Sequence, residues 1–534
     1  MLRNLLRSAG AISIGHLLNI AGTLALVPLF LVCWNNAVYG DWMVLSSAVA
    51  YLSTLDMGLN AAGSNALVAA FARRNLPEYR AIQSSTLGFY VALACVVTIV
   101  TGVACLVVPL SSWLGVKHIP PGSVPWIAWI LTARLIWQMP AAQVWNIYRT
   151  TGDQATTQWI WNLQFGGTLA ATCLVLWLGG SPRAMAAWPS VPIVLVSAGS
   201  WLALKRTHPS LLPHFDQVHM SRVLGLLRPS LYFGVITIAL ALALNGPVIA
   251  ISRVAGGTVV TLLITTRTLT NVVRQAQGIL TTALWPHLTR MHAVGDHGSL
   301  KTAYRLLIGV SMAISVGFAA ALWFEGTTLI AAWTRGRLLC DATLLHLLLI
   351  ATVLQALYNA SSMVPIATNQ HKNVAKAFLG SAVLSTAGTV VLAPHLGVAA
   401  AGWAILIGDA VYCYHFVIRN GCSSVGEAYP RFAGQFWMSL SIVSALTGIA
   451  GWSAHRFGIG ELPLRWIETG IVTFTTSLSA VWLVFLDADT RRGIVSEYQV
   501  KMAGLLDRVR RRNHPRGSPV PGIHTGLSTS DLPY

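Results

Sequence analysis

The sequence predicts an all-α polytopic membrane protein, and three observations carry that prediction. Hydrophobic residues make up 54% of the 534 positions, and the mean hydropathy is +0.62. Charged residues make up only 10% of the chain, whereas a water-soluble domain has about 25%. Apolar runs of about 18 or more residues, each long enough to cross the hydrocarbon core of a bilayer, recur along nearly the whole sequence.

About fourteen transmembrane helices are expected from these runs. They lie near residues 9–32, 40–64, 82–110, 124–147, 157–180, 187–204, 229–250, 257–285, 303–324, 341–363, 375–393, 399–418, 434–452 and 464–486. The first run exceeds the apolar core of a signal peptide, which has about 7–15 residues, and no small-residue cleavage site follows it. We therefore predict that it is an uncleaved first span.

Basic residues predict the orientation, because Lys and Arg accumulate in short cytoplasmic loops. With the N-terminus inside, 25 of the 35 Lys and Arg residues fall in cytoplasmic segments and seven in outside loops. Both termini are therefore predicted to be cytoplasmic. Anionic membrane lipids then explain the net charge of +18, and no nucleic acid is needed as a partner.

The last segment, 487–534, is predicted to be a basic cytoplasmic tail. Apolar residues from Ile494 to Val509 recur at helical spacing beside several arginines, which is the pattern of an amphipathic helix lying on the inner leaflet. After Asn513 the Pro, Gly and Ser content predicts disorder.

Motifs for metal binding and catalysis are scarce. The seven cysteines show no C-x-x-C spacing and the histidines form no H-E-x-x-H, so we predict neither a metal site nor another cofactor. The absence of a G-x-x-x-x-G-K-[ST] loop excludes an ATP-driven pump within this chain. Asp487-Ala488-Asp489 resembles the D-x-D of glycosyltransferases, but its place at the end of the last span favours an interfacial acidic pair. We predict that the protein is not an enzyme.

Three arginines fall inside predicted spans, where each charge costs about 2.5–3.5 kcal/mol and normally faces a cavity or a partner. Arg134 and Arg267 each lie about ten residues into their spans, or roughly 15 Å deep at 1.5 Å per residue. Arg274 lies two helical turns after Arg267 and shares its face, as does Asn271. We expect all three arginines to face one water-filled cavity and to bind phosphate.

Other residues in the spans are candidates for the cavity lining. Trp137 falls on the same arc of its helix as Arg134, where an aromatic ring would suit a phosphosugar. Asn245 precedes Gly246 and Pro247, a string that predicts a break or bend. Asp56 and Asp409 are acidic counterparts of the arginines, and either a structural ion pair or a coupling site for H⁺ or Na⁺ fits them equally well.

Three segments resemble a known family. They are Tyr39-Gly40-Asp41-Trp42 followed by Tyr51 to Leu59 and Asn65, the stretch from Asn245 to Asp296, and Pro394 to Gly402. These segments resemble the second helix, the seventh and eighth helices, and the turn before the twelfth helix of bacterial polysaccharide flippases. That family comprises the O-antigen and exopolysaccharide translocases of the MATE-like superfamily.

The resemblance implies two six-helix lobes around a central cavity, with two extra C-terminal helices. The N-lobe would cover 1–210, a cytoplasmic interlobe segment 211–228, and the C-lobe 229–420. The extra helices would cover 431–486.

The resemblance also implies a function. The substrate would be an undecaprenyl-pyrophosphate-linked oligosaccharide, flipped across the bacterial inner membrane by alternating access for surface polysaccharide biosynthesis. Polysaccharide polymerase or assembly proteins are then possible partners.

Three alternatives stay open at this stage. A MATE-type cation-coupled drug exporter shares the expected fold, although three arginines favour an anionic cargo. A lipid II flippase of the same superfamily would also use cavity arginines. A membrane-embedded polymerase or glycosyltransferase would need catalytic acids, for which Asp487 and Asp489 are the only candidates.

Overall fold

A computed structural model describes residues 2–213, 218–368, 370–458, 461–488 and 490–492. The chain divides into a large compact unit, Met1–Phe485, and a second unit, Leu486–Tyr534. In the second unit, Asp487 Oδ1 accepts a hydrogen bond from the backbone N–H of Thr490 at 2.9 Å, as a helix cap does. The predicted amphipathic helix and disordered end of the tail lie outside the described residues.

The described elements of the large unit are all helices. Those of the N-terminal half, residues 2–213, are α1 (Leu2–Cys33), α2 (Asn36–Ala50), α3 (Leu59–Ala72), α4 (Leu76–Val107), α5 (Leu110–Leu114), α6 (Val124–Thr150), α7 (Gln154–Trp177), α8 (Pro182–Ala187) and α9 (Val191–Thr207).

The C-terminal half, residues 218–424, holds seven helices, and a final pair follows it. They are α10 (Met220–Ala255), α11 (Gly257–Val294), α12 (His297–Trp333), α13 (Ala342–Ala367), α14 (Lys372–Leu396), α15 (Ala399–Tyr412), α16 (Phe416–Ser424), and the final pair α17 (Tyr429–Phe457) and α18 (Leu464–Ala480). Short 3₁₀ turns join several of them, and a π turn, Val481–Phe485, extends α18.

Polar side chains fix where many of these helices begin. Asn35 Oδ1 accepts the backbone N–H of Val38 at 2.8 Å and so caps α2. Asn75 caps α4 and also donates to Glu78 Oε2 at 2.9 Å, in the manner of a capping box. Such caps satisfy backbone groups that a helix end leaves unpaired, and each contributes about 1 kcal/mol.

Nine of the described helices are long and apolar enough to cross a membrane, and a tenth span results if the bent pair α15–α16 counts as one. Each of the fourteen predicted spans coincides with a helix or a broken helix pair, but the count of fourteen stays a prediction. Of the described helices that coincide with predicted spans, α1, α2, α3, α6 and α11 fall short of the criterion. All of these except α3 line a cavity of about 510 Å³, where polar side chains take the place of some apolar ones.

The second predicted span, 40–64, is broken in the structure. α2 ends at Ala50, a 3₁₀ turn covers Tyr51–Asp56, and Met57 and Gly58 adopt left-handed φ values of 47° and 73° before α3 begins. Gly234 of α10 packs on this break: a Cβ atom there would lie 3.1 Å from the Met57 carbonyl oxygen. The break therefore forms part of the contact between the two halves.

The predicted break at Asn245-Gly246-Pro247 is absent, because α10 is helical from Met220 to Ala255. Asn245 instead donates to the carbonyl of Ala241, one turn back, at 2.9 Å. Gly246 allows close packing, since a Cβ atom there would lie 2.2 Å from Thr386 Oγ1 of α14.

At one end of the bundle, six side-chain hydrogen bonds join the two halves. We call this set the clasp. Its donors and acceptors are Ser252 to Leu114 (2.6 Å), Arg253 to Trp113 (2.6 Å), Thr261 to Asn36 (2.6 Å), Trp333 to Leu24 (2.8 Å), Arg337 to Leu31 (3.1 Å) and Asn36 to Arg337 (2.9 Å). Every acceptor is a main-chain carbonyl, and in five of the six bonds the donor belongs to the C-terminal half.

Asp41 supports the clasp end. Its Oδ2 accepts hydrogen bonds from the backbone N–H groups of Lys117, His118 and Ile119 at 2.9, 2.5 and 3.1 Å. The adjacent Gly40 presses on α11, because a Cβ atom there would overlap the carbonyl oxygen of Gly257 at 1.7 Å. The halves are thus in direct backbone contact beside the loop that Asp41 holds.

Two buried glutamates attach the final helix pair to α12. Glu325 accepts from His455 at 2.7 Å and pairs with Arg465 at 3.2 Å. Glu427 pairs with Arg305 at 2.6 Å and with Lys301 at 3.5 Å. Because buried carboxylates need such partners, these contacts fix the pair at both of its ends.

Candidate functional site

Two cavities meet α11 on neighbouring faces of the helix. We call the smaller one, of about 80 Å³, the arginine cavity, and the larger one, of about 510 Å³, the aromatic cavity. Arg267 and Arg274 of α11 line the arginine cavity, whereas Ile264 and Thr268 of the same helix line the aromatic cavity. Helix α11 therefore contributes to the walls of both cavities.

The arginine cavity is built by helices of the C-terminal half alone. Its polar lining residues are Arg267, Thr270, Asn271, Arg274, Thr352, Gln355, Tyr358, Asn359, Ser381, Ser385 and Asp409. They come from α11, α13, α14 and α15, while α10 contributes mainly leucine and alanine side chains. Arg267, Asn271 and Arg274 follow the helical spacing, which places them on one face of α11.

Neither arginine of this cavity has a charged partner among the residues that the structure describes. Arg267 donates a short hydrogen bond to the carbonyl of Leu244. Arg274 makes no hydrogen bond and no ion pair with any residue in the described ranges. Since a buried cation is normally paired or hydrogen-bonded, two under-satisfied guanidinium groups at a cavity wall are typical of an anion-binding site.

Asp409 lies in the same cavity but is satisfied by neutral donors. Its carboxylate accepts from Gln355 at 3.0 Å, Tyr358 at 3.2 Å and Ser381 at 2.6 Å. Gly408 permits this contact, because a Cβ atom there would lie 2.2 Å from Ser385 Oγ and would push α15 away from α14. The carboxylate is thus held by three hydrogen bonds and not by an arginine.

The aromatic cavity is lined by both halves of the chain. Its residues from α1 and α2 are Thr23, Leu26, Val27, Phe30, Tyr39, Trp42, Met43, Ser46 and Val49. Leu131, Arg134, Leu135 and Gln138 of α6 add the polar wall, and Phe165, Thr168, Leu169 and Thr172 of α7 complete the opposite side. None of the lining residues that the structure describes is acidic.

The structure divides the three predicted arginines between these cavities. Arg134 lines the aromatic cavity, whereas Arg267 and Arg274 line the arginine cavity with Asn271 and Asp409. They do not share one cavity, because α11 turns its two arginines away from the N-terminal half.

Three other predicted residues line neither cavity. Trp137 is 45% exposed on the outer side of α6, and Asn245 bonds to its own helix. Asp56 accepts hydrogen bonds from the backbone N–H of Asn60 at 3.3 Å and from the Tyr90 hydroxyl. Its carboxylate therefore caps α3 and faces no arginine.

Sequence reasoning missed the aromatic side chains of the larger cavity. Tyr39 and Trp42 were part of the family-like segment, but nothing in their spacing indicated that they face Arg134 across the bundle. Phe165 lies on α7, and only the tertiary fold brings it into the same cavity lining as Arg134. Gln355, Tyr358 and Ser381 around Asp409 were missed for the same reason.

Comparisons with known proteins give a fold but no close relative. No family model and no curated protein matches the chain. A solved multidrug resistance MATE family transporter of the MOP superfamily matches in its inward-facing conformation, with a TM-score of 0.63, 15% identity, and 77% of this chain and 94% of that chain covered. Its outward-facing conformation gives a TM-score of 0.57, 14% identity and coverages of 79% and 95%.

The lipid II flippase MurJ, in an inward closed conformation, also matches. Its TM-score is 0.63 at 11% identity, and the match covers 89% of this chain and 98% of that one. This chain has the fold of these MOP superfamily transporters.

Proposed function

We propose that this chain flips an undecaprenyl-pyrophosphate-linked oligosaccharide across the bacterial inner membrane by alternating access, for surface polysaccharide biosynthesis. The observation that carries the proposal is the pair of arginines without charged partners, Arg267 and Arg274, on one wall of the arginine cavity. A pyrophosphate supplies the counter-charge that these guanidinium groups lack. In a site of low dielectric, such charge-assisted hydrogen bonds are strong.

Size supports the same assignment. A cavity of about 80 Å³ suits a phosphate group and not a glycan, so we assign the sugars to the larger space beside it. The lipid tail would stay in the bilayer, which removes the need for an apolar chamber inside the protein.

The conformation is consistent with one state of a transport cycle. The clasp closes one end of the bundle, and the fold superposes better on the inward-facing than on the outward-facing transporter. An inward-facing chain is closed on the outer side, so we assign the clasp to the extracytoplasmic end and both termini to the cytoplasm. Anionic inner-leaflet lipids would then contact the basic tail.

Asp409 is our candidate for coupling to H⁺ or Na⁺. It shares the arginine cavity with Arg267 and Arg274 without forming an ion pair with either. Binding of a cation there would neutralise a carboxylate beside the anionic substrate. The coupling cation and the anionic substrate would thus interact electrostatically within one cavity.

A lipid II flippase is the second candidate. The match to MurJ covers 89% of this chain, against 77% for the inward-facing drug transporter. The additional coverage favours a carrier of a lipid-linked substrate over a drug exporter. If the chain instead flips the undecaprenyl-pyrophosphate-linked oligosaccharide, polysaccharide polymerase or assembly proteins would act on the flipped oligosaccharide.

The test is surface polysaccharide display in a deletion strain. Wild-type protein should restore polymer and remove accumulated inner-leaflet lipid-linked units, whereas Arg267→Gln/Arg274→Gln should not. Arg456→Gln, an exposed arginine at the end of α17, is the matched control at equal membrane abundance. Normal polymer in the deletion strain, together with altered drug resistance, would instead identify a drug exporter.

A further inference from the structure

We propose that the aromatic cavity binds an anionic sugar residue of the glycan, with Arg134 as the group that recognises the anionic substituent. The inference rests on the proposed function and assigns a saccharide site to a cavity separate from the one that would hold pyrophosphate. Polar groups that reach this cavity support it.

Several polar side chains at the cavity wall lack protein hydrogen bonds throughout the described ranges. They are Arg134, Gln138, Tyr39, Trp42, Ser46 and Thr268. None of them is among the polar groups sealed away in the core without a partner. Their free donors and acceptors are therefore directed to space that a ligand can reach.

The chemistry of this set is dominated by donors. Arginine presents five N–H groups and the indole of Trp42 one, and neither has an acceptor. Tyrosine, serine, threonine and glutamine add hydroxyl and amide groups that donate or accept. A saccharide presents hydroxyl oxygens at many positions, so it can satisfy several of these groups at once.

Aromatic surfaces occur beside the donors. Phe30 and Tyr39 stack with ring centroids 4.9 Å apart, and Trp42 packs edge-on against Trp34 at 5.8 Å. Phe165 lies on the α7 side of the cavity. These contacts hold the rings in fixed positions, so they offer preformed apolar faces for the C–H surface of a sugar ring.

Charge decides which kind of sugar fits. Among the described residues that line the cavity, Arg134 is the only charged one, and it makes no ion pair with a described residue. A neutral glycan would leave this cation without a counter-charge, which is unfavourable in a partly buried site. A carboxylate or phosphate on the sugar satisfies it bidentately.

Volume separates this site from the arginine cavity. About 510 Å³ can hold a sugar residue, whereas about 80 Å³ on the neighbouring face of α11 cannot. The two sites should therefore prefer different probes, and that difference makes the inference testable without knowing the natural glycan.

The experiment measures binding to the purified full-length protein by saturation-transfer NMR and titration. The probes are trigalacturonate, its neutral methyl ester, and inorganic pyrophosphate. The variants are Arg134→Gln, Arg134→Lys and Arg274→Gln, with Arg456→Gln as the surface control and thermal melting to compare folding. Arg134→Lys keeps the charge and replaces the planar fork, so it serves if Arg134→Gln fails to fold.

Wild-type protein should bind trigalacturonate at least about tenfold more tightly than the ester, since a charge-assisted bidentate contact is lost in the ester. Arg134→Gln should abolish that preference, Arg134→Lys should retain part of it, and Arg274→Gln should leave it unchanged. Pyrophosphate binding should be weakened by Arg274→Gln and left unchanged by Arg134→Gln and Arg134→Lys.

Three results would overturn the inference. They are equal binding of acid and ester, an acid preference that survives in Arg134→Gln, and competitive displacement of trigalacturonate by pyrophosphate. If the wild-type protein binds the acid sugar but does not restore polysaccharide flipping in the deletion strain, only the proposed function is refuted. Flipping that depends on Arg274 without acid-sugar binding would refute only this inference.

Discussion

The two cavities differ in charge, size and origin, although one helix lines both. The arginine cavity is small, contains two cations and one carboxylate, and is built by the C-terminal half. The aromatic cavity is about six times larger (510 against 80 Å³) and is lined by both halves; its described lining contains one cation and no carboxylate. The difference teaches that a single polar helix can present two recognition surfaces with different chemistry.

The largest effect is expected from removing both cations of the arginine cavity. Arg267→Gln/Arg274→Gln should weaken pyrophosphate binding by about 100-fold or more, because two charge-assisted hydrogen bonds of about 1.5–3 kcal/mol each are lost. Titration calorimetry of the purified protein measures this loss. Trigalacturonate binding serves as the internal control and should stay at its wild-type level.

The thermal stability of the same variant provides a second check. Under-satisfied buried cations oppose folding, so replacing them should leave the melting temperature unchanged or raise it. A fall of several degrees would mean that the arginines are structural and that the arginine cavity is not an anion site.

The next effect concerns the clasp. Thr261→Val and Trp333→Phe each remove one hydrogen bond, worth about 1 kcal/mol, so the double variant should shift the opening equilibrium of that end by about 30-fold. Maleimide labelling of Cys33 beside the clasp, in a background with the other cysteines replaced by alanine, measures the shift. Thr302→Val, an exposed helix hydroxyl on α12, is the matched control, and equal labelling of both variants would contradict the clasp.

A smaller effect is expected from Asp409→Asn. The amide keeps most of the hydrogen bonds but removes the negative charge, so pyrophosphate affinity should rise several-fold while dependence on H⁺ or Na⁺ disappears. Binding titrations over pH and sodium concentration test both parts. If cation dependence persists in the variant, the coupling site lies elsewhere.

The smallest effect separates two tryptophans. Trp137→Ala should change neither pyrophosphate nor trigalacturonate binding by more than about twofold, since its side chain is outside both cavities. Trp42→Phe should weaken trigalacturonate binding several-fold, because the indole N–H is lost while an aromatic face remains. Equal behaviour of the two variants would show that the aromatic cavity is not selective for the probe.

The fold was largely predictable, because apolar runs and their lengths are local properties of the sequence. The helices occur where runs of hydrophobic residues predicted them, and the polar α11 was expected to line water. The break after Ala50 was not predicted, since Tyr51 to Asp56 is no less helix-compatible than its surroundings. It depends on Gly58 and on the approach of Gly234 from α10.

The candidate site was predictable only along a single helix. Periodicity placed Arg267, Asn271 and Arg274 on one face, and the structure puts all three in one cavity. It could not say that Arg134 lines a different cavity from Arg267 and Arg274, because that depends on how α6 and α11 rotate within the bundle. The same limit explains Trp137, whose helical arc was close to that of Arg134 but whose side chain points outward.

The chemistry of the clasp restricts how this protein can change over time. Five of its six acceptors are main-chain carbonyls of the N-terminal half, and a carbonyl is retained under any substitution. Mutations in that half, other than at Asn36 and Gly40, therefore have little direct effect on the closed state. Exchanging any of the five donor side chains in the other half alters the lifetime of that state. Mutations of clasp residues, which line neither cavity, can thus change the transport rate without changing substrate preference.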